Sequence, residues 1–189
     1  MVVGTVAPLE RSNIDTDQII PSDWLKRIER TGFEKGLFSQ WRQDSTFVLN
    51  NPKFRNANIL LAGANFGIGS SREHAVWALQ QYGFEAIISP SFGDIFANNS
   101  SKNGLVTIQL PQDQCDRLFK IVGNDPEAEL SINIANEQIT VPTANLELDF
   151  SLDPAVKTRL IEGLDDIAIS LAAEDKITAY EANRASWFT

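Results

Sequence analysis

The chain has one cysteine, Cys115, and one histidine, His74, among 189 residues. A single cysteine excludes an internal disulfide. One thiol and one imidazole are too few to build a structural zinc site or to hold an iron–sulfur cluster. Basic residues are also in deficit, 16 against 25 acidic ones, for a formal net charge of −9. That balance argues against a nucleic-acid surface and against docking on anionic membrane, although a local basic site remains compatible with it. No apolar run is long enough to span a bilayer, and no secretory pattern opens the chain, so a cytoplasmic location is expected. Repeats, low-complexity tracts and linkers are missing too. The length suits one compact α/β domain with a sizeable core, expected to cover residues 1–189.

What is present centres on residues 61–79. The apolar run Ile59–Ala62 reads as a buried strand, and a helical pattern with Ala75, Val76, Leu79 and Tyr82 on one face follows, closed by Gly83. Between them lies a loop with Gly63, Gly67 and Gly69, a residue type that lets backbone approach a ligand. Ser70 and Ser71 then stand at the helix start, where unpaired N–H groups favour an anion, and Arg72 adds a forked cation suited to a carboxylate. A plain N-cap and tight turn is the competing reading. The lysine of a phosphate-binding loop is absent, and Arg72 stands where a dinucleotide fingerprint needs its third glycine, so a small carboxylate fits better than a nucleotide.

The stretch Gly67-Ile68-Gly69-Ser70-Ser71-Arg72-Glu73-His74 resembles the serine–arginine loop of the aconitase superfamily. Residues 13–21, Asn-Ile-Asp-Thr-Asp-Gln-Ile-Ile-Pro, and residues 92–99, Phe-Gly-Asp-Ile-Phe-Ala-Asn-Asn, resemble two further motifs of its small-subunit branch, the 3-isopropylmalate dehydratase small subunits. One departure is Val76, where this branch often has proline; the first helical turn accepts either. The resemblance implies a swivelling β/β/α domain, a mixed sheet with flanking helices. It implies a hydro-lyase acting on a small dicarboxylate, active only with a large subunit that carries a 4Fe-4S cluster. No metal or cofactor is assigned to this chain, and the isolated chain is left free to self-associate. Sister enzymes acting on homoaconitate or methyl-substituted malates, and a non-catalytic carboxylate-binding subunit, are the alternatives.

The resemblance also assigns roles. Ser70 is the expected base, with Arg72 and Asp17 beside it in the catalytic set; Asp17 matches an aspartate that orients a histidine of the partner chain. Ser71, Arg72, Gly69 and Thr16 are expected to bind substrate. Arg27, Ile28 and Arg30 fall in a segment expected to be mobile, over residues 27–37, that selects the substrate's side group. His74 and Glu73 are expected to hydrogen-bond behind the contact residues rather than transfer protons. From spacing alone, Asp15 and Asp17 read equally well as an Asx-type turn.

Elsewhere the pattern predicts strands at Val2–Leu9, Ala86–Ser89, 105–110, 130–134, Gln138–Val141 and 146–150. The strands on either side of the helix at 72–82 should be parallel neighbours. Ser91 is expected to cap a helix whose apolar face is Phe92, Ile95 and Phe96. Pro111 opens a helix that buries Cys115, Leu118, Phe119 and Val122 and stops at residues 123–126; Asp153-Pro154 opens the C-terminal helices.

Overall fold

The computed structural model describes residues 1–26 and 29–184. Its framework is a seven-stranded mixed sheet organised around β1 (Val2–Leu9). The C-terminal half of β1 runs parallel to β3 (Ile59–Ala62), and its N-terminal half runs antiparallel to a later strand, so β1 joins a parallel wing to an antiparallel one. Pro8 lies in the half paired on the β3 edge, a placement in which a missing N–H is tolerated. Gly4, at the division, is where a Cβ would run into the Asn58 carboxamide, whose Nδ2 donates to the Val3 carbonyl at 3.0 Å.

Between these two strands the chain makes β2 (Ile14–Asp15), α1 (Thr16–Ile19) and a series of short 3-10 turns, including Ser22–Lys26 and Phe33–Lys35. After β3 come β4 (Phe66–Ile68), α2 (Glu73–Tyr82), β5 (Ala86–Ser89), α3 (Asp94–Asn103) and β6 (Val106–Gln109). β3 and β5 are parallel, as expected for the strands on either side of α2, and β5 and β6, joined through α3, are parallel as well. All four residues of β3 and of β5 are buried, which explains why both read as unbroken apolar runs rather than alternating ones. α4 (Gln112–Asn124) packs on β1, β3 and β5. The antiparallel wing follows with β7 (Glu129–Asn133), β8 (Gln138–Val141) and β9 (Leu146–Asp149). α5 (Pro154–Glu162), α6 (Asp166–Leu171) and α7 (Glu174–Ala182) close the described chain and bury none of their residues. No helix among the described residues is long and apolar enough to cross a membrane.

Several expectations change. Residues 14–15 and 66–68 pair in parallel as a separate two-stranded sheet where loops were expected. Ser91 does not cap α3. Its hydroxyl accepts from the Asn65 N–H at 2.8 Å and donates to the Asn65 carboxamide at 3.0 Å, leaving Gly93 as the uncapped N-terminal residue. Ile95 turns to solvent while Phe96 is buried. α4 continues through Gly123 and Asn124 before Asp125 ends it. Cys115, Leu118 and Val122 are buried as expected, with Phe119 half-buried. Burial, with Asp116 and Asp113 nearby, pushes the Cys115 thiol up to about 11. It therefore stays protonated and unreactive at neutral pH.

The described part of the segment expected to be mobile has its own anchor. Phe33 and Leu37 are fully buried, and the turn at Phe33–Lys35 packs along α2.

Candidate active site

Two loops meet at the start of α2. The first is α1 with its cap. Asp15 accepts from the Gln18 N–H at 2.7 Å, and Gln18 Oε1 in turn accepts from the Asp15 N–H at 2.9 Å. This capping box fixes a four-residue helix that would not hold by propensity alone. It also divides the labour of the two acids: Asp15 serves the backbone, and Asp17 is left to reach across the site.

The second loop runs from β4 into α2. Gly67 and Gly69 have φ of +73° and +97°, so both require the left-handed region. Gly67 sits against Phe96, and its carbonyl lies 2.5 Å from where a Cβ on Gly93 would stand. The loop is thus wedged onto the start of α3. The Gly93 N–H donates to the Phe66 carbonyl at 2.9 Å, and Thr16 Oγ1 donates to the Ser70 carbonyl at 3.1 Å. Thr16 is buried, whereas Gly69, Ser70 and Ser71 are exposed. The backbone is held and the two serine hydroxyls are presented outward, without a hydrogen-bond partner among the described residues.

Arg72 is the N-cap of α2 in extended conformation, and its side chain makes no cap bond. The Ala75 N–H is taken by the Arg72 carbonyl at 3.2 Å, and the N–H groups ahead of it, those of Glu73 and His74, stay open to an anion. The guanidinium instead crosses to α1. Nη1 donates to Asp17 Oδ1 at 2.5 Å and to the Ile20 carbonyl at 3.3 Å. The Arg72 side chain is 15% exposed and that of Asp17 55%. The pair is worth at most about 1 kcal/mol at this exposure, so its effect is to orient the guanidinium rather than to stabilise the fold.

Thr16, Asp17, Gly69, Ser70 and Arg72 thus converge, with Ser71 beside them. Glu73 and His74 turn elsewhere. Glu73 accepts from Asn103 Nδ2 at 2.9 Å. The His74 imidazole makes no hydrogen bond among the described residues; its ring packs 5.4 Å from Phe33 and 4.8 Å from Trp77. Burial lowers its pKa; Glu73 opposes this and Arg72 reinforces it. The lowered pKa favours the neutral imidazole, which packs as an aromatic ring. The guanidinium of Arg30 lies 5.4 Å from the Trp77 ring, next along the same helix. Arg27 and Ile28 lie outside the described residues.

Two residues that sequence patterns did not single out as site residues support this arrangement. Asn103, read as turn chemistry at the end of α3, also accepts from Trp77 Nε1 at 3.0 Å, and its carbonyl accepts from Gln80 at 2.8 Å. It ties α3 to the first turn of α2. Gln81 binds the chain around Phe33. Neither is visible in the sequence, because each acts through a polar contact between distant segments. Gly69, Ser70 and Ser71 lie exposed, and clefts of about 530 and 660 Å³ lie elsewhere, lined by residues such as Arg42 and Tyr82 or Asp116 and Lys120.

The site falls within the part of the chain, residues 1–113, that matches the family model of the aconitase C-terminal domain. Among curated relatives, the 3-isopropylmalate dehydratase small subunit of Frankia alni is 53% identical over 97% of this chain and 93% of its own length. That of Clavibacter michiganensis is 50% identical over 98% and 90%, respectively. A solved structure described as 3-isopropylmalate dehydratase from Methanocaldococcus jannaschii shares the fold, with a TM-score of 0.69 and 23% identity over 95% of this chain and 98% of that one. On this match of sequence, fold and loop, the chain belongs to the family of 3-isopropylmalate dehydratase small subunits, within the aconitase C-terminal domain family.

Proposed function

We propose that this chain, as a single swivelling domain over residues 1–189, is the small subunit of a cytoplasmic 3-isopropylmalate dehydratase. The enzyme interconverts 2-isopropylmalate and 3-isopropylmalate by dehydration and rehydration, in leucine biosynthesis. The observation that carries this reading is the pinned loop at the uncapped start of α2, which presents Ser70 and Ser71 outward beside an oriented Arg72.

A hydrogen on carbon is hard to remove, so the reaction needs a base held against it. Ser70 takes that role. A free serine hydroxyl is too weakly acidic, and its alkoxide requires the α2 N–H groups and the Arg72 charge. Ser71 and Arg72 bind substrate carboxylate, with Gly69 keeping the backbone close and Thr16 fixing the loop. Asp17 spends Oδ1 on Arg72, and its other oxygen orients a histidine of the partner. Arg30, with Arg27 and Ile28, contacts the side group.

Departure of hydroxide is assigned to the partner. The residues of this chain do not fit an iron–sulfur cluster: its only thiol, Cys115, is buried on the inner face of α4, and the described residues contain no group of three potential metal ligands. The reading therefore places a 4Fe-4S cluster on a large subunit that completes the site. The apolar side chains Ile167, Leu171 and Tyr180, exposed on the C-terminal helices, offer surface for such an assembly.

The test is a comparison of substrates. The chain, combined with an anaerobically reconstituted large subunit, is expected to hydrate isopropylmaleate with a kcat/KM at least tenfold above that for methylmaleate, the value of one or two methylenes in an apolar pocket, and above that for homoaconitate, whose additional carboxylate such a pocket would have to desolvate. Preference for homoaconitate would move the chain to the sister enzyme.

A further inference from the structure

Gln81 lies on α2 at the i+7 position from His74 and the i+4 position from Trp77, so the three share one stripe of the helix. The described chain from Arg30 to Phe33 runs along that stripe. The Phe33 ring sits 5.4 Å from His74 and 5.7 Å from Trp77, and the Arg30 guanidinium lies 5.4 Å from Trp77. One carboxamide holds both ends of this stretch. Gln81 Nε2 donates to the Arg30 carbonyl at 2.8 Å, and Gln81 Oε1 accepts from the Phe33 N–H at 2.9 Å. The orientation of the amide is forced, because a carbonyl can only accept and a backbone N–H can only donate. Gly32, between the two bonds, has a φ of +86°, a conformation glycine adopts readily, and the Arg30 carbonyl and Phe33 N–H on either side of it both bond the Gln81 carboxamide.

We propose that Gln81 is a positioning residue for side-group selection. Its carboxamide fixes the Arg30–Phe33 backbone against α2 and thereby sets where the segment contacts the substrate's alkyl group. The inference rests on the isopropylmalate reading above. The stripe begins two residues beyond Arg72, so the helix that starts at the carboxylate-binding arginine also carries the clamp on the selecting segment. A rigid ruler between those two points lets an alkyl group of fixed length be measured from the carboxylate. Gln81 itself touches neither substrate nor reacting atoms.

The test uses the assembled two-subunit enzyme with Gln81→Met, which keeps length and removes both bonds, and Gln81→Glu, which keeps the acceptor for the Phe33 N–H and loses the donor to Arg30. The expected result for Gln81→Met is a roughly tenfold rise in KM for isopropylmaleate, kcat within about twofold, and an unchanged KM for methylmaleate, whose small group does not reach the segment. Gln81→Glu is expected to fall between wild type and Gln81→Met. Faster amide exchange at Phe33 in Gln81→Met, with the rest of α2 unchanged, reports release of the clamp independently of activity. If wild type turns over and the ratio of the two KM values is unaltered in Gln81→Met, the inference is overturned while the functional reading stands. An equal loss on both substrates with poorer assembly marks a merely structural role and also overturns it. A silent wild-type complex overturns both.

Discussion

Replacing Ser70 with alanine is expected to lower kcat of the assembled enzyme by about a thousandfold, within the range that a positioned general base contributes. KM, the melting temperature and assembly should stay close to wild type. The separation of effects follows from geometry. The Ser70 hydroxyl is exposed and makes no hydrogen bond among the described residues, so its loss leaves no buried group unsatisfied. The bond that fixes the loop here, from Thr16 Oγ1, goes to the Ser70 backbone carbonyl and survives in alanine. Arg72 keeps Asp17 and the Ile20 carbonyl, so the carboxylate site is intact. Steady-state kinetics with isopropylmaleate, with a thermal melt on the same preparation, separates these effects. A variant that retains more than about a tenth of kcat places the base elsewhere, since no positioned base would contribute so little.

The second large effect is expected from Gly93→Ala, at a residue that contributes no side chain to the site. Gly93 has an ordinary φ of −68°, so alanine meets no backbone penalty. The obstacle is space. A Cβ there would stand 2.5 Å from the Gly67 carbonyl oxygen and 3.0 Å from Ile68 Cα, backbone atoms that cannot rotate aside. The loop that presents Ser70 must move instead. Overpacking of this kind costs about 1–3 kcal/mol. For a chain of this size each kcal/mol lowers the melting temperature by about 2–4 °C, so a fall of about 3–10 °C is expected. A loop displaced by even part of an ångström spoils the alignment of base and carboxylate site, with an activity loss of about a hundredfold. Gly123→Ala is the control: nothing lies within 4 Å of its added Cβ, and in α4 the change should be neutral or slightly stabilising. Equal melting temperatures and activities for the two variants would show that the wedge between α3 and the loop is not what holds Ser70.

What the sequence made legible was local. β3 and β5 declare themselves as short apolar runs, and α5 by Asp153-Pro154 at one end and Gly163 at the other, because capping chemistry operates within a few residues. The serine–arginine loop was legible through resemblance, and its glycines proved to need positive φ. What escaped depends on partners distant in the chain. β2 and β4 are two and three residues long, too short for any period, and form because they find each other. Ser91 has the right residue type and spacing for a cap, yet Asn65 takes its hydroxyl. Arg72 and Asp17 are 55 residues apart, and nothing in either motif announces that they pair. His74, the only imidazole, invites a hydrogen-bonding role, but in the fold it lies between Phe33 and Trp77 and behaves as part of an aromatic cluster. Gln81 looks in sequence like any polar residue on a helix, and its two hydrogen bonds to the chain at 30–33 exist only once the segment has folded back.

The measurement that tests most directly whether this chain completes a dehydratase site is a titration. A fixed amount of anaerobically reconstituted large subunit receives increasing amounts of this chain, and hydration of isopropylmaleate is followed by loss of alkene absorbance. The expected result is no turnover by either protein alone, a linear rise on mixing, and a plateau at a fixed molar ratio. Full turnover by the large subunit alone, or none at any ratio while the cluster remains intact, would contradict it.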